Sequence, residues 1–266
     1  MSSLFQRAAA CLDASDPAQK VKLTQSLYAD WCADKLHIDG SFEAPEIAGV
    51  GRPEKPELVA SREVPRRSMN TPEGRVVLCH ALAHIEFNAI NLALDAVYRF
   101  NNMPAAYYGD WLKVASEEAY HFTLLQSYLL KRDVTYGDFN AHNGLWEMAQ
   151  ITAHDVMIRM ALVPRVLEAR GLDVTPGILK KLAQSKDTEF IEHLEIIQKD
   201  EISHVAIGSH WFKYLCEQRG LDYRETFKQL IRDYMKGSLR GPFDEVARLQ
   251  AGFSAEEIAD LNALEI

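Results

Sequence analysis

Four long tracts with helical periodicity, each bounded by proline or glycine, constrain this chain more than any other feature. Thr71-Pro72 opens the first, PEGRVVLCHALAHIEFNAINLALDAVYRF, and Pro104 opens the second, PAAYYGDWLKVASEEAYHFTLLQSYLLKR. The link between them is short, so they are expected to fold back as an antiparallel hairpin. After the turn-rich DVTYGDFNAHNG, a third tract is expected to run to about Arg170, with Gly171 as its stop signal. The fourth runs from about Thr188 to Arg219 and ends at Gly220. Between the last two, LDVTPGILKKLAQSKD is long enough to cross over a bundle and to carry a short helix itself. No alternating strand pattern competes, so the fold class is all-α.

Upstream, Asp16 and Pro17 read as the N-cap and first turn of an outer helix reaching about Leu36. Residues 37–71 carry Pro45, Pro53, Pro56 and Pro65 and suit an extended wrap lying on a surface. Downstream, residues 220–266 add amphipathic helix interrupted by GSLRGPF. The expected organisation is one domain over 1–266: N-terminal helix and wrap (1–71), four-helix bundle (72–219) and C-terminal helical extension (220–266).

Glu-x-x-His occurs twice, as Glu118…His121 in the second tract and Glu201…His204 in the fourth. Chance alone yields roughly 0.7 such pairs in a chain of this composition, so the motif is uninformative by itself. Its context is what matters. Glu86 lies in the first tract and Glu168 in the third, at nearly the same distance upstream of each motif. The chain thus repeats a helix with Glu, then a helix with Glu-x-x-His, the donor pattern of dimetal carboxylate bundles. By helical phase Glu118 and His121 continue a face with Trp111, Val114, Ala115, Phe122 and Leu125. Glu201 and His204 continue Leu194, Ile197 and Trp211. Glu86 falls with Leu82, Ala83, Ile90 and Ala93, and Glu168 with Met157, Ala161 and Pro164. Four carboxylates in apolar stripes need protons or cations, and two divalent ions supply +4 against −4.

Carboxylate oxygens with one imidazole per metal suit two iron ions, with manganese acceptable at one or both positions. Glu118 and Glu201 are the expected bridges and Glu86 and Glu168 the terminal ligands. Metal-bound histidines usually donate their second N–H to a carboxylate, and each motif is preceded by an acidic residue. Asp200 is therefore expected to partner His121, and Glu117 to partner His204. Pro164, one turn before Glu168, is expected to remove a helix hydrogen bond and kink the third tract.

Other features read as structural. His80, His84 and His154 could look like extra ligands, but His80 and His84 point away from the Glu86 face by helical phase. Tyr107, Tyr108, Tyr120 and Tyr128 are expected in the core. Arg52, Lys55, Arg62, Arg66, Arg67 and Arg75 make the wrap locally basic, but Glu54, Glu57, Glu63 and Glu73 interleave with them. With a net charge of −9, nucleic acid is a minority partner. No phosphate-binding glycine loop or nucleophilic triad appears. Cys11, Cys32, Cys79 and Cys216 are scattered, which fits a reducing cytoplasm and supplies no iron–sulfur module. An N-terminus without a basic stretch and apolar run, and the lack of about 18 consecutive apolar residues, predict neither export nor a membrane span.

The segments HIEFNAINLALDAVYRF, EEAYHFTLL, YGDFNAHNGLWEMA, ALVPRVLEARGLDVTPG and DEISHVAIGSHWF, with GRPEKPELV and VPRRS in the wrap, resemble a widespread bacterial ferritin-like family catalogued as a domain of unknown function. That family is similar, distantly, to tRNA-hydroxylating di-iron monooxygenases. The resemblance covers nearly the whole chain. It implies a ferritin-like bundle with Glu86, Glu118, His121, Glu168, Glu201 and His204 as metal ligands, none of them substituted. It implies no substrate.

The expected activity is that of a non-haem di-iron oxidoreductase acting on dioxygen and a small or tethered organic substrate, with electrons from an external donor. Two alternatives share the site: a ferroxidase or iron-handling protein, and a non-catalytic metal-stabilised interaction module.

Overall fold

The computed structural model of the chain describes residues 2–45, 47, 49–65, 67–235, 239 and 241–264. Arg66 of the basic stretch and Gly237, Ser238 and Arg240 of the C-terminal interruption lie outside the described residues. Among the described residues the chain is all-α apart from a pair of two-residue strands, and it divides into two compact units, Met1–Glu147 and Met148–Ile266.

In the first unit α1 is Leu4–Asp13, α2 Pro17–Cys32, α3 Pro72–Arg99 and α4 Ala105–Leu130. The hairpin of α3 and α4 forms as expected. Thr71 caps α3 by accepting the Gly74 N–H at 3.1 Å, with Pro72 in the first turn. Cys79 Sγ lies 3.5 Å from Leu125 O, and the Tyr107 hydroxyl donates to Ala96 O at 3.3 Å, so numbers rise on one helix as they fall on the other. Helix α3 is long and apolar enough to cross a bilayer by length and composition, yet 78% of that window is buried inside the protein.

Asp16 caps α2 through the Gln19 N–H at 2.7 Å, as its sequence suggests. Two features differ from expectation. Helix α1 was not anticipated, although Leu4, Phe5, Ala8, Cys11 and Leu12 bury one face of it at helical spacing. And α2 stops at Cys32 rather than near Leu36, because Asp34 turns the chain with φ of 53°. Leu36–His37 (β2) then pairs in parallel with Ser2–Ser3 (β1). The junction is held by Lys20, whose buried ammonium donates to Cys11 O and Leu12 O, both at 2.9 Å, and to Asn91 Oδ1 at 2.7 Å. Three acceptors match its three donors at the C-terminus of α1, although burial pushes its pKa down to about 7.

The proline-rich wrap is pinned along its length. Gly51 N–H donates to Leu12 O at 2.8 Å, Val59 N–H to Ala141 O at 2.8 Å, and Arg52 Nη1 to Asn143 Oδ1 at 2.8 Å. A Cβ on Gly51 would strike the Asp13 backbone, so glycine is required by the close approach.

The division between the units falls within α5, Gly144–Ile151. In the second unit the third tract departs from the reading above. It is broken at Thr152–Asp155, resumes as α6 (Val156–Leu162) with Asp155 as N-cap, widens into a π-helical stretch (Val163–Glu168), and continues as α7 (Ala169–Leu182). Gly171 therefore does not stop the helix, and most of the expected crossover is its continuation, even through Pro176. Pro164 widens the helix rather than simply kinking it.

Helix α8, Thr188–Gln218, keeps its expected bounds and is followed by Gly220 at φ of 64°, the left-handed position where glycine carries no Cβ penalty. The C-terminal extension forms α9 (Tyr223–Tyr234), α10 (Glu245–Gln250) and α11 (Ala255–Ala263). Two buried guanidinium groups attach it. Arg165 pairs with Glu257 and lies against the rings of Phe212, Phe227 and Phe253 at 4.7, 4.1 and 4.5 Å. Arg248 grips Asp173 through two bonds of 2.9 and 2.8 Å.

Candidate metal centre

In the first unit three of the expected ligands come together. Glu86 on α3 and Glu118 and His121 on α4 are 4%, 0% and 0% exposed, and their donor atoms lie within 4.8 Å of one another. The hairpin register produces this meeting, since Glu86 stands across from Glu118 just as Cys79 stands across from Leu125. His121 Nδ1 is 3.3 Å from Glu86 Oε2 and 3.4 Å from Glu118 Oε2. Glu86 Oε2, buried, makes no hydrogen bond of good geometry.

The electrostatics are those of a cation site. Burial first, and then the neighbouring Glu118 charge, push Glu86 well above the usual carboxylate range. Burial alone would lower the His121 pKa, but Glu118 and Glu86 outweigh it and push it up to about 11. The two buried carboxyl groups crowd each other, with His121 Nδ1 within 3.4 Å of both. A divalent ion fits this donor set, because it replaces a proton, satisfies Glu86 Oε2 and removes the repulsion.

The second unit repeats the local geometry. His204, fully buried, presents Nδ1 to Glu201 Oε1 at 3.6 Å, and Glu201 is 13% exposed. Both imidazoles thus turn Nδ1 toward the glutamate three residues earlier. Glu168 and Glu201 are half-buried, less enclosed than Glu86 and Glu118. Glu168 closes the π-helical stretch, whose turn is wider than the α-helical period that groups it with Met157, Ala161 and Pro164. Glu117 is bound by Lys113 at 3.0 Å, one turn back on α4.

The model of the family described as "Protein of unknown function (DUF455)" matches residues 13–259. The chain belongs to the DUF455 family. A relative from Haemophilus influenzae, named "Uncharacterized protein", is 45% identical over 269 residues, covering 97% of this chain and 93% of its own. No solved structure matches.

Two further histidines in this DUF455 chain have other duties. His80 Nε2 accepts the Gly137 N–H at 2.8 Å, and His84 contacts the Tyr136 hydroxyl at 2.9 Å and His142 O at 3.1 Å. They tie the loop after α4 to α3, in keeping with their assignment as structural. His154 is exposed. Tyr107, Tyr108 and Tyr128 are fully buried, whereas Tyr120, expected in the core, is 45% exposed.

Burial pushes both His80 and His84 down to about 4. Below pH 6.5 the unfolded chain takes up protons that the folded chain refuses, so stability falls as pH drops from 6.5 toward 4. Between pH 7 and pH 5 the expected loss is about 2 kcal/mol for each histidine in the metal-free protein. His80→Gln, which keeps an acceptor for Gly137, should remove its share of that slope. Urea unfolding at both pH values checks this, and parallel curves for wild type and variant would contradict it.

Proposed function

We propose that this chain is a non-haem dimetal oxidoreductase, with two iron ions as the expected cofactor, which uses dioxygen to hydroxylate or oxidise an organic substrate. The observation that carries the reading is the buried group of Glu86, Glu118 and His121. Its repetition in sequence as Glu168, Glu201 and His204 supports a second ion and a ferritin-like arrangement of the four ligand-bearing helices. Manganese remains acceptable to the same donors.

When bound, ferrous iron supplies the electrons that dioxygen needs before it reacts with an organic molecule. Hydroxylation balances as RH + O2 + 2 e− + 2 H+ giving ROH + H2O, with the two electrons from an external donor. The chain's own part is to hold the ions through six side chains and to orient the imidazoles. Asp200 is proposed to accept the outer N–H of His121, and Glu117 that of His204.

The test is anaerobic loading of metal-free protein with ferrous iron, then admission of oxygen. Saturation at two irons per chain, with oxygen uptake that continues only while a reductant is present, is the expected result. Uptake of many irons per chain would favour iron handling. Bound iron that never consumes oxygen would favour a structural metal in an interaction module.

A further inference from the structure

Gly208 sits on α8 four residues beyond His204, and a methyl group there would overlap Cβ and Cγ of Pro164. The proline ring occupies the space that any side chain at 208 would need. Pro164 is the second residue of the π-helical stretch, and Glu168 is its last. The Ala169 N–H bonds to Pro164 O, five residues back, the mark of the widened turn. Proline favours such a turn because it lacks the N–H of the α-helical ladder and its ring crowds the carbonyl four residues earlier.

The register with α8 follows from three contacts. Arg219 Nη1 meets Asp155 Oδ2 at 2.7 Å, Cys216 Sγ meets Met157 Sδ at 3.7 Å, and Gly208 meets Pro164. Numbers rise on one side as they fall on the other, so the two segments are antiparallel. One turn further, the same register sets Glu168 level with His204. The direction in which Glu168 leaves its helix therefore depends on whether the residues before it are π-helical or α-helical.

We propose that Pro164, seated in the gap left by Gly208, locks the π-helical stretch and so aims Glu168 at the His204 level of α8. The metal-binding consequence rests on the dimetal reading; the conformational lock does not. Pro164 and Gly208 are positioning residues, and the sequence alone showed only the first of them.

Pro164→Ala restores a backbone N–H, and Gly208→Ala expels the ring. Crystal structures of both metal-free variants should show residues 163–168 returned to α-helical hydrogen bonding, with the Glu168 side chain swung by roughly a quarter turn. Manganous ion alone, titrated by equilibrium dialysis well below each variant's Tm, should bind at one of two positions at least tenfold more weakly. The double variant should be no worse than the weaker single, because both changes break one contact. A π-helical stretch that persists in both variants overturns the lock. Loss of that stretch with undiminished manganese binding overturns the aiming role. Wild-type protein and Glu168→Ala binding manganese alike would instead overturn Glu168 as a ligand, with the crystal structures still deciding the lock.

Discussion

Glu257→Ala is expected to cost the second unit about 3–5 kcal/mol, the largest stability effect of any substitution considered. Arg165 is fully buried, its charge answered by Glu257 and its flat faces by three phenylalanine rings. Removing the carboxylate leaves that charge in an apolar cage with no counter-ion. The same side chain accepts the Ser254 N–H at 2.9 Å in the capping box that starts α11, and contacts Lys213 Nζ at 3.1 Å. Burial alone would raise the Glu257 pKa, yet the Arg165 charge and the Ser254 N–H hold it below the ordinary carboxylate value. Glu257→Gln keeps the cap and should cost less. Exchanging both Arg165 and Glu257 for leucine should cost less than Glu257→Ala alone, since no unpaired charge remains. Urea unfolding at neutral pH measures all three, and a loss under about 1 kcal/mol for Glu257→Ala would contradict the account.

Glu118→Gln is expected to behave in the opposite way. The metal-free protein should be as stable as wild type or more so, because the substitution relieves the crowding of two buried carboxyl groups. Metal affinity should fall more than about 100-fold, beyond the usual cost of losing an outer partner of a ligand, because on the proposed reading Glu118 would serve both ions. Glu201→Ala should do the same from the other half of the donor set. Tm measured with and without manganese separates the two effects. A residue kept for packing would lose stability on substitution, whereas a residue kept for metal loses only the metal-dependent rise.

How far the sequence is legible follows from the range of the interactions involved. Caps at Asp16 and Thr71 and the glycine after α8 act within one turn, and the structure has them where their residue types suggest. Glu86, Glu118 and His121 meet because hairpin register and helical period are both written locally. Helix α1 is hidden because its C-terminus is completed by Lys20 of α2 rather than by a stop signal of its own. The third tract runs on past Gly171 because glycine is a frequent helix end but not an obligatory one, and its neighbours there keep their ladder. Pro164 announced an irregularity, but whether it would kink or widen the helix depended on Gly208, 44 positions away on another helix. The Arg165 cage is invisible for the same reason: VPRVLE gives no sign that its arginine faces inward until α8, α9 and the turn before α11 supply the rings and α11 the carboxylate.

The central claim is that this chain holds two metal ions in its buried carboxylate and imidazole groups. Its most direct test is the number of manganous ions bound per chain at equilibrium, in wild type and in Glu118→Gln. Two ions in wild type, with both weakened in the variant while its metal-free Tm is undiminished, is the predicted result. No tightly bound ion in wild type, or equal binding by both proteins, would contradict it.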